Sequence, residues 1–361
     1  MVNEQSLTKK DLNHSELNTE KGIRSMAKNE LIKLVLFLTL GKIMIFLAFP
    51  HLEEMATRWD SAIYEHIALY GYTSDYYYAF SPVYPTLIRL LNYIVQNVWL
   101  SALIITNLLS YICPIIVYKL FGFRTALLFE LFPTYLLFTT IPYSDVISLT
   151  LLALSMLLLK SNRKSYEVLS GVSLAVAIMN LYVLALTIVY YLYNKKYLAS
   201  LIAILLAGIV IIPWYWINLG SPFVYLTIEA KYWGSGFANP YSQAVWILTS
   251  SITKEPWSFL GFTIPTYLWL VRNMIFEGFY VYGTIKLRNE LRIFSLSIIL
   301  PDFFLTGVAS LSIPRFLLQD FVVFSNFGKI INTETKTLIY LSLCFIVGYV
   351  ITLWQMQAFF S

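Results

Sequence analysis

Asp60, Glu65, His66 and Asp75 lie close together beside Arg58, Trp59 and Ser61, in a chain with few ionisable groups. Carboxylates and an imidazole can take or give a proton, and an arginine can grip an anion with its planar fork. Other such residues mark the edges of apolar runs. Tyr143-Ser144-Asp145 precedes one run, Asn180 and Tyr182 sit at a break between two, and Arg315 follows Pro314 at the start of another. An ionisable group among apolar runs is costly, so its default reading is functional. Each residue also has an ordinary reading. Thr57–Asp60 fits a capping box in which Asp60 closes a helix N-terminus. Asp145 and Asn180 read equally as helix caps, Glu65 as the polar face of a helix, His66 as an interfacial hydrogen bonder, and Arg315 as a snorkelling anchor.

The elements that would position these residues follow from composition. Of 361 residues, 25 are Lys or Arg and 20 are Asp or Glu, so 12% are charged and 58% hydrophobic. A soluble protein carries about 25% charge. Lipid is the solvent such a surface prefers. The polar segment 1–30 reads as a disordered cytoplasmic tail, and 31–361 as one transmembrane domain. Apolar runs at 31–50, 97–118, 124–140, 143–160, 166–180, 181–194, 197–217, 257–285, 291–312, 314–330 and 337–359 predict about eleven spans, in a range of nine to thirteen. Residues 79–96 carry Arg89 and two prolines, which suits an interfacial or re-entrant segment. With the tail inside, 18 of 25 Lys and Arg fall on the inner side and 5 on the outer. That layout leaves outer loops at 51–81 and 218–256. In the first loop, Ile63, Ile67 and Tyr70 share one helical face, Asp60 and Tyr64 another, and Ser61 and Glu65 a third, giving a short amphipathic helix ended by Gly71.

Several classes are excluded. Cys113 and Cys344 lie in apolar runs and build neither a disulfide framework nor a thiolate metal site. His14, His51 and His66 offer little for a metal cluster, so no metal ligands are assigned, although a divalent ion is left open. No glycine loop for a nucleotide phosphate is present, and no nucleic-acid partner is expected.

Arg58-Trp59-Asp60-Ser61, then Ile67-Ala68, Gly71-Tyr72, Tyr78-Ala79-Phe80-Ser81-Pro82 and Pro85, resembles the first-loop signature of the second mannosyltransferase family of glycosylphosphatidylinositol anchor synthesis. That family reads Trp-Asp, Ile-Ala, Gly-Tyr and Ala-Phe-Phe-Pro; Ser81 replaces its second Phe. Arg124-Thr125-Ala126-Leu127-Leu128-Phe129 with Pro133, Pro142-Tyr143-Ser144-Asp145, and Ser312-Ile313-Pro314-Arg315-Phe316-Leu317 follow in the family's order. The similarity covers residues 58–180 in recognisable order and is thin from 181 to 300. Where the family has an Arg-Ser-Asn-Gly-like break, Ala177–Tyr182 keeps only Asn180.

The resemblance implies an all-α, polytopic helical bundle of GT-C type. It implies a glycosyltransferase that uses a polyprenyl (dolichyl) phosphate sugar, expected to be mannose, on the extracytoplasmic face. The acceptor would be a lipid-linked or protein-linked glycan and the reaction an inverting displacement. The cellular site would be the plasma membrane of a prokaryote or the endoplasmic reticulum membrane of a eukaryote. No cofactor is expected beyond the lipid-phosphate co-substrate, and the partners are membrane lipid, donor and acceptor. Asp60 would be the general base, with Glu65 and His66 as second choices. Arg58, Trp59, Ser61, Asp75, Tyr143, Ser144, Asp145, Asn180 and Arg315 would bind donor and acceptor, Arg315 at the phosphate. The alternatives are a polytopic transporter or lipid flippase, and a non-catalytic member of the same fold. A transporter usually shows repeated halves and midplane polar residues; here the halves do not resemble each other and the candidates gather at one face.

Overall fold

The structure, a computed structural model, describes residues 9–48, 51–161, 163–249, 257–259, 262–264, 267–331 and 333–358. Among them the fold is all-α, with nineteen α-helices and two short β-pairs. In chain order, α1 is Lys9–Ala48, α2 Leu52–Ala56, α3 Asp60–Tyr70, α4 Val83–Val95, α5 Val98–Phe121, α6 Phe123–Glu130 and α7 Pro133–Phe138. There follow α8 Asp145–Leu158, α9 Lys164–Asn180, α10 Ile188–Tyr193, α11 Tyr197–Leu219, α12 Val224–Trp233 and α13 Pro240–Thr249. The last third holds α14 Tyr267–Ile285, α15 Asn289–Asp302, α16 Val308–Leu311, α17 Ile313–Phe316, α18 Phe324–Ile330 and α19 Glu334–Ala358.

Among the described residues, two helices, α5 and α11, are long and apolar enough to cross a membrane. On α11, Ile209 is 67% and Ile217 79% exposed, and Leu201, Ile204, Leu205 and Ile212 are also open. An outward apolar face this continuous is what lipid, rather than water, would cover.

Three expectations change. The first helix begins at Lys9, not Leu31, so residues 9–30 of the expected disordered tail are helical. Their Lys, Glu and Asn side chains do not oppose extension of an already nucleated helix, which gains one hydrogen bond per added residue. The run 124–140 is broken at Leu131-Phe132, because Pro133 cannot donate within a helix and instead opens α7 at its first turn. The runs 257–285 and 291–312 contain strands. Trp257–Phe259 pairs with Phe262–Ile264 before α14, and Leu305–Thr306 interrupts the second run after α15. The 79–96 segment forms α4, whose 13 residues span only about 20 Å.

The bundle packs α5 on α8, α8 on α9 and α9 on α11. Small residues allow the last contact: a Cβ on Gly171 would sit 2.7 Å from the Ala199 carbonyl oxygen. Several polar groups inside are tied off to backbone carbonyls. Ser155 Oγ donates to the Ser170 carbonyl at 2.8 Å, and Tyr135 OH to the Ser110 carbonyl at 2.7 Å.

At one end of the bundle a two-residue clamp shapes what lies above it. Gly236–Phe237 pairs antiparallel with Leu305–Thr306. Gly307 has φ +70, and a Cβ there would lie 2.0 Å from the Gly234 carbonyl oxygen, so only glycine fits. The Ala309 N–H donates to Ser235 Oγ at 3.1 Å. The clamp thus carries the end of α12 over α16 and α17.

Candidate functional site

Arg315, on the short helix α17, is the hub. Its Nη1 donates to Asp60 Oδ2 at 2.5 Å, and its Nε lies 3.6 Å from Asp145 Oδ1. Its guanidinium stands 5.1 Å from the Tyr143 ring centroid, within cation–π range. Asp145 is 4% exposed. Two carboxylates from different helices therefore converge on one cation in a mostly dry setting, where removing either sign leaves charge uncompensated.

Asp60 does not cap α3. The N-cap is Trp59, with φ 52 and ψ −133, and no side chain closes the terminus. Positive φ is strained for a bulky residue and costs on the order of 1–3 kcal/mol, which surrounding structure must hold. Two bonds hold it here. The Ser61 N–H donates to the Arg58 carbonyl at 3.0 Å, and Ser61 Oγ to the Pro142 carbonyl at 2.9 Å. The strained turn delivers Asp60 to Arg315 rather than to its own helix.

The opposite wall is equally fixed. Asn180 Nδ2 donates to the Ser144 carbonyl at 2.9 Å and to Ser148 Oγ at 2.6 Å, joining the end of α9 to the start of α8. Tyr64 OH and Ser144 Oγ are 2.7 Å apart. Ser81 Oγ donates to the Met179 carbonyl at 2.7 Å.

Two cavities meet at Asp60 and Arg315. The first, about 160 Å³, is polar and lined by Asp60, Tyr64, Ser144, Asp145, Asn180, Tyr225, Glu229 and Arg315. The second, about 630 Å³, is more apolar and is lined by Arg58, Trp59, Asp60, Tyr143, Trp233, Arg272, Phe276 and Arg315. Carboxylates outnumber the cation in the first, and arginines outnumber the single carboxylate in the second. One can accept hydrogen bonds from hydroxyls, and the other can surround an anion with greasy walls.

The structure brings together Asp60, Tyr143, Ser144, Asp145, Asn180 and Arg315, with Arg58 and Trp59 at the second cavity. Arg58 also pairs with Glu54. Ser61 is a buried tie outside the cavities. Three expected residues lie elsewhere. Glu65 is buried on another face of α3, where desolvation pushes its carboxyl up to about 8. His66 bonds Thr73 Oγ1 at 3.0 Å and stacks on Tyr77 at 4.3 Å. Asp75 begins a 3₁₀ turn, Asp75–Ala79, and lines neither cavity. At about 100° per residue, five or six steps from Asp60 turn a side chain away from the direction Asp60 takes, whereas Tyr64 comes back to it.

Sequence reasoning missed Tyr225, Glu229 and Arg272, and it placed Tyr64 on the helical face of Asp60 without giving it a role. Burial raises the Glu229 carboxyl to about 7, opposed by its bond to Tyr225. Arg272 Nη2 donates to the Leu311 carbonyl at 2.5 Å. Arg272 was detectable as a lone cation in an apolar run. Among the described residues, no group of three or more His, Cys, Asp or Glu is arranged to hold a metal ion.

The architecture is an all-helical bundle, and its fold is similar to that of solved ArnT structures. Among solved structures, two crystal structures of ArnT from Cupriavidus metallidurans are similar to this chain. One, bound to undecaprenyl phosphate, matches with a TM-score of 0.52 and 14% identity, over 87% of this chain and 63% of that one. The apo structure matches with a TM-score of 0.42 and 11% identity, over 90% and 76%. The chain therefore spans just under two thirds of the length of the lipid-bound ArnT, and the likeness is one of fold. No protein-family model and no curated protein matches the sequence.

Proposed function

We propose that the protein is a multi-pass membrane glycosyltransferase that moves a sugar, expected to be mannose, from a polyprenyl phosphate to a hydroxyl of a glycan or glycolipid acceptor. The observation that carries this reading is the meeting of the two cavities at the Asp60–Arg315 pair. A lipid phosphate fits the apolar, arginine-lined cavity, and a sugar acceptor fits the carboxylate-lined one. The ArnT structure whose fold this chain shares holds undecaprenyl phosphate, which supports a donor of that chemistry.

In the proposed step, an acceptor hydroxyl gives its proton to the Asp60 carboxylate as its oxygen bonds the anomeric carbon. The bond from that carbon to the phosphate oxygen breaks, and the electron pair leaves with the phosphate. Arg315, flanked by Arg58 and Arg272, meets the growing phosphate charge. A phosphate oxygen beside Arg315 competes for Nη1 and so loosens Asp60 at the moment a base is needed. One displacement inverts the anomeric centre. The Arg that the family carries near Asn180 is replaced in this account by these three cations from other elements.

Glu229 gives the site a pH dependence. Its carboxyl is neutral below about 7 and ionised above it. Ionised, it accepts hydrogen bonds from acceptor hydroxyls. Acceptor kcat/KM should therefore rise as pH increases through about 7, and Glu229→Gln should flatten that limb. An unchanged limb in the variant would remove Glu229 from the acceptor site.

The tail is proposed to be cytoplasmic and Asp60 extracytoplasmic. Ser74 and Ser165 are exposed, while the native Cys113 and Cys344 are buried. Ser74→Cys should react with an impermeant maleimide in intact cells or spheroplasts, and Ser165→Cys only after permeabilisation. The reverse pattern would place the site on the wrong side for a lipid-linked donor.

A further inference from the structure

A third cavity, about 450 Å³, lies behind the wall of the candidate site. Ala79, Phe80 and Ser81 line the polar cavity, while Tyr78 and Pro82 line this one. Its lining also includes Tyr72, Trp214 and Asn218 of α11, and Arg89 of α4. No Asp or Glu lines it. Arg89 forms no ion pair among the described residues. Its Nε donates to the Ala68 carbonyl at 2.6 Å and Nη2 more weakly to the Ile67 carbonyl at 3.5 Å, closing the end of α3. Nη1 makes no hydrogen bond among the described residues. The helix end carries roughly half a negative charge, so a full guanidinium charge leaves the cavity positive.

Close in sequence to the lining residues, both helices carry exposed apolar side chains. Leu90, Tyr93 and Ile94 of α4 are 58, 75 and 81% exposed. Trp216 and Ile217 of α11 are exposed as well. An exposed arginine in an aromatic-walled cavity, lined by two helices that expose apolar side chains, has the chemistry of a headgroup site. The aromatic walls suit the interfacial zone, where an amphipathic ring has one wet edge and one dry face.

We propose that this cavity binds the anionic headgroup of a phospholipid, with its phosphate on Arg89 and its acyl chains along the exposed faces of α4 and α11. Because Arg89 also closes α3, the bound lipid would steady the helix that begins at Asp60. The inference rests on the membrane placement of the chain and is independent of the transfer reaction.

Native mass spectrometry of the purified full chain, released from micelles holding phosphatidylglycerol and phosphatidylcholine, tests it. The wild type should retain one phosphatidylglycerol with a preference of about fivefold over phosphatidylcholine, the size expected for one interfacial arginine. Arg89→Gln should abolish the preference. Asn218→Glu should do the same by adding a negative charge to the cavity lining, while sparing the bonds of Arg89 to the α3 carbonyls, and decides the matter should Arg89→Gln fail to fold. Retained preference in Asn218→Glu would overturn the proposal. So would displacement of phosphatidylglycerol by millimolar inorganic phosphate, which would make this a site for a free anion. Because the readout needs no sugar donor, its failure is distinguishable from failure of the glycosyltransferase reading.

Discussion

Asp60→Asn should lower turnover by about 10²–10⁴, the usual worth of a positioned general base, while donor binding stays near wild type. In energy this is about 3–5.5 kcal/mol of transition-state stabilisation. The side chain keeps its size and can still accept from Arg315 Nη1, so the cavity survives. What is lost is the ability to take a proton. The N-terminus of α3 should be little affected, because Asp60 supplies no cap there. Thermal unfolding should therefore shift far less than activity. Loss of both together would mean that Asp60 serves the fold. If turnover were unchanged, the carboxylate would have no part in proton transfer, and Glu229 would be the next base to test.

Arg315→Lys should fail differently. Lysine keeps the charge but cannot present two N–H groups at fixed angles. In the structure those groups face Asp60 and Asp145, at 2.5 and 3.6 Å. A charge-assisted bond is worth about 1.5–3 kcal/mol, so donor kcat/KM should fall by about 10- to 100-fold, with donor KM rising. Arg315→Met is a harsher test of the fold. It leaves Asp60 and the buried Asp145 without their cation, a change that typically costs 3–5 kcal/mol. If Arg315→Lys changed turnover alone and left donor KM untouched, the guanidinium would not be holding the donor.

Much of this site was legible before the fold. Asp60 and Tyr64 share one helical face by spacing, and they share one cavity. Asp145, Asn180 and Arg315 stood out because polar groups are rare at the edges of apolar runs. What was not legible depends on contacts far apart in sequence. Glu229 reaches the cavity only because Gly234 and Gly307 pack backbone to backbone, and because Gly236–Phe237 and Leu305–Thr306 pair across seventy residues. Nothing local announces that clamp. The capping reading of Asp60 failed for a related reason: Pro142, on another segment, holds Ser61 and supports a positive φ at Trp59 that propensity would not predict. Glu65 and His66 drew notice by type alone, yet helical geometry turns both away from Asp60. The apolar runs identified helices well, but they hid the strands at 257–259, 262–264 and 305–306, since a short apolar run does not by itself tell a strand from a helix.

The central claim is that a sugar leaves a polyprenyl phosphate at the Asp60–Arg315 pair. The direct measurement uses purified protein in liposomes with a polyprenyl-phosphate mannose labelled in the sugar, alongside membrane glycolipid acceptors, followed by mass spectrometry of both lipid pools. The account predicts that free polyprenyl phosphate and an extended acceptor appear in equal amounts, with inverted anomeric configuration, and that both vanish in Asp60→Asn. Intact donor recovered in the opposite leaflet, with no extended acceptor and no free polyprenyl phosphate, would contradict it and make the chain a carrier of the lipid-linked sugar.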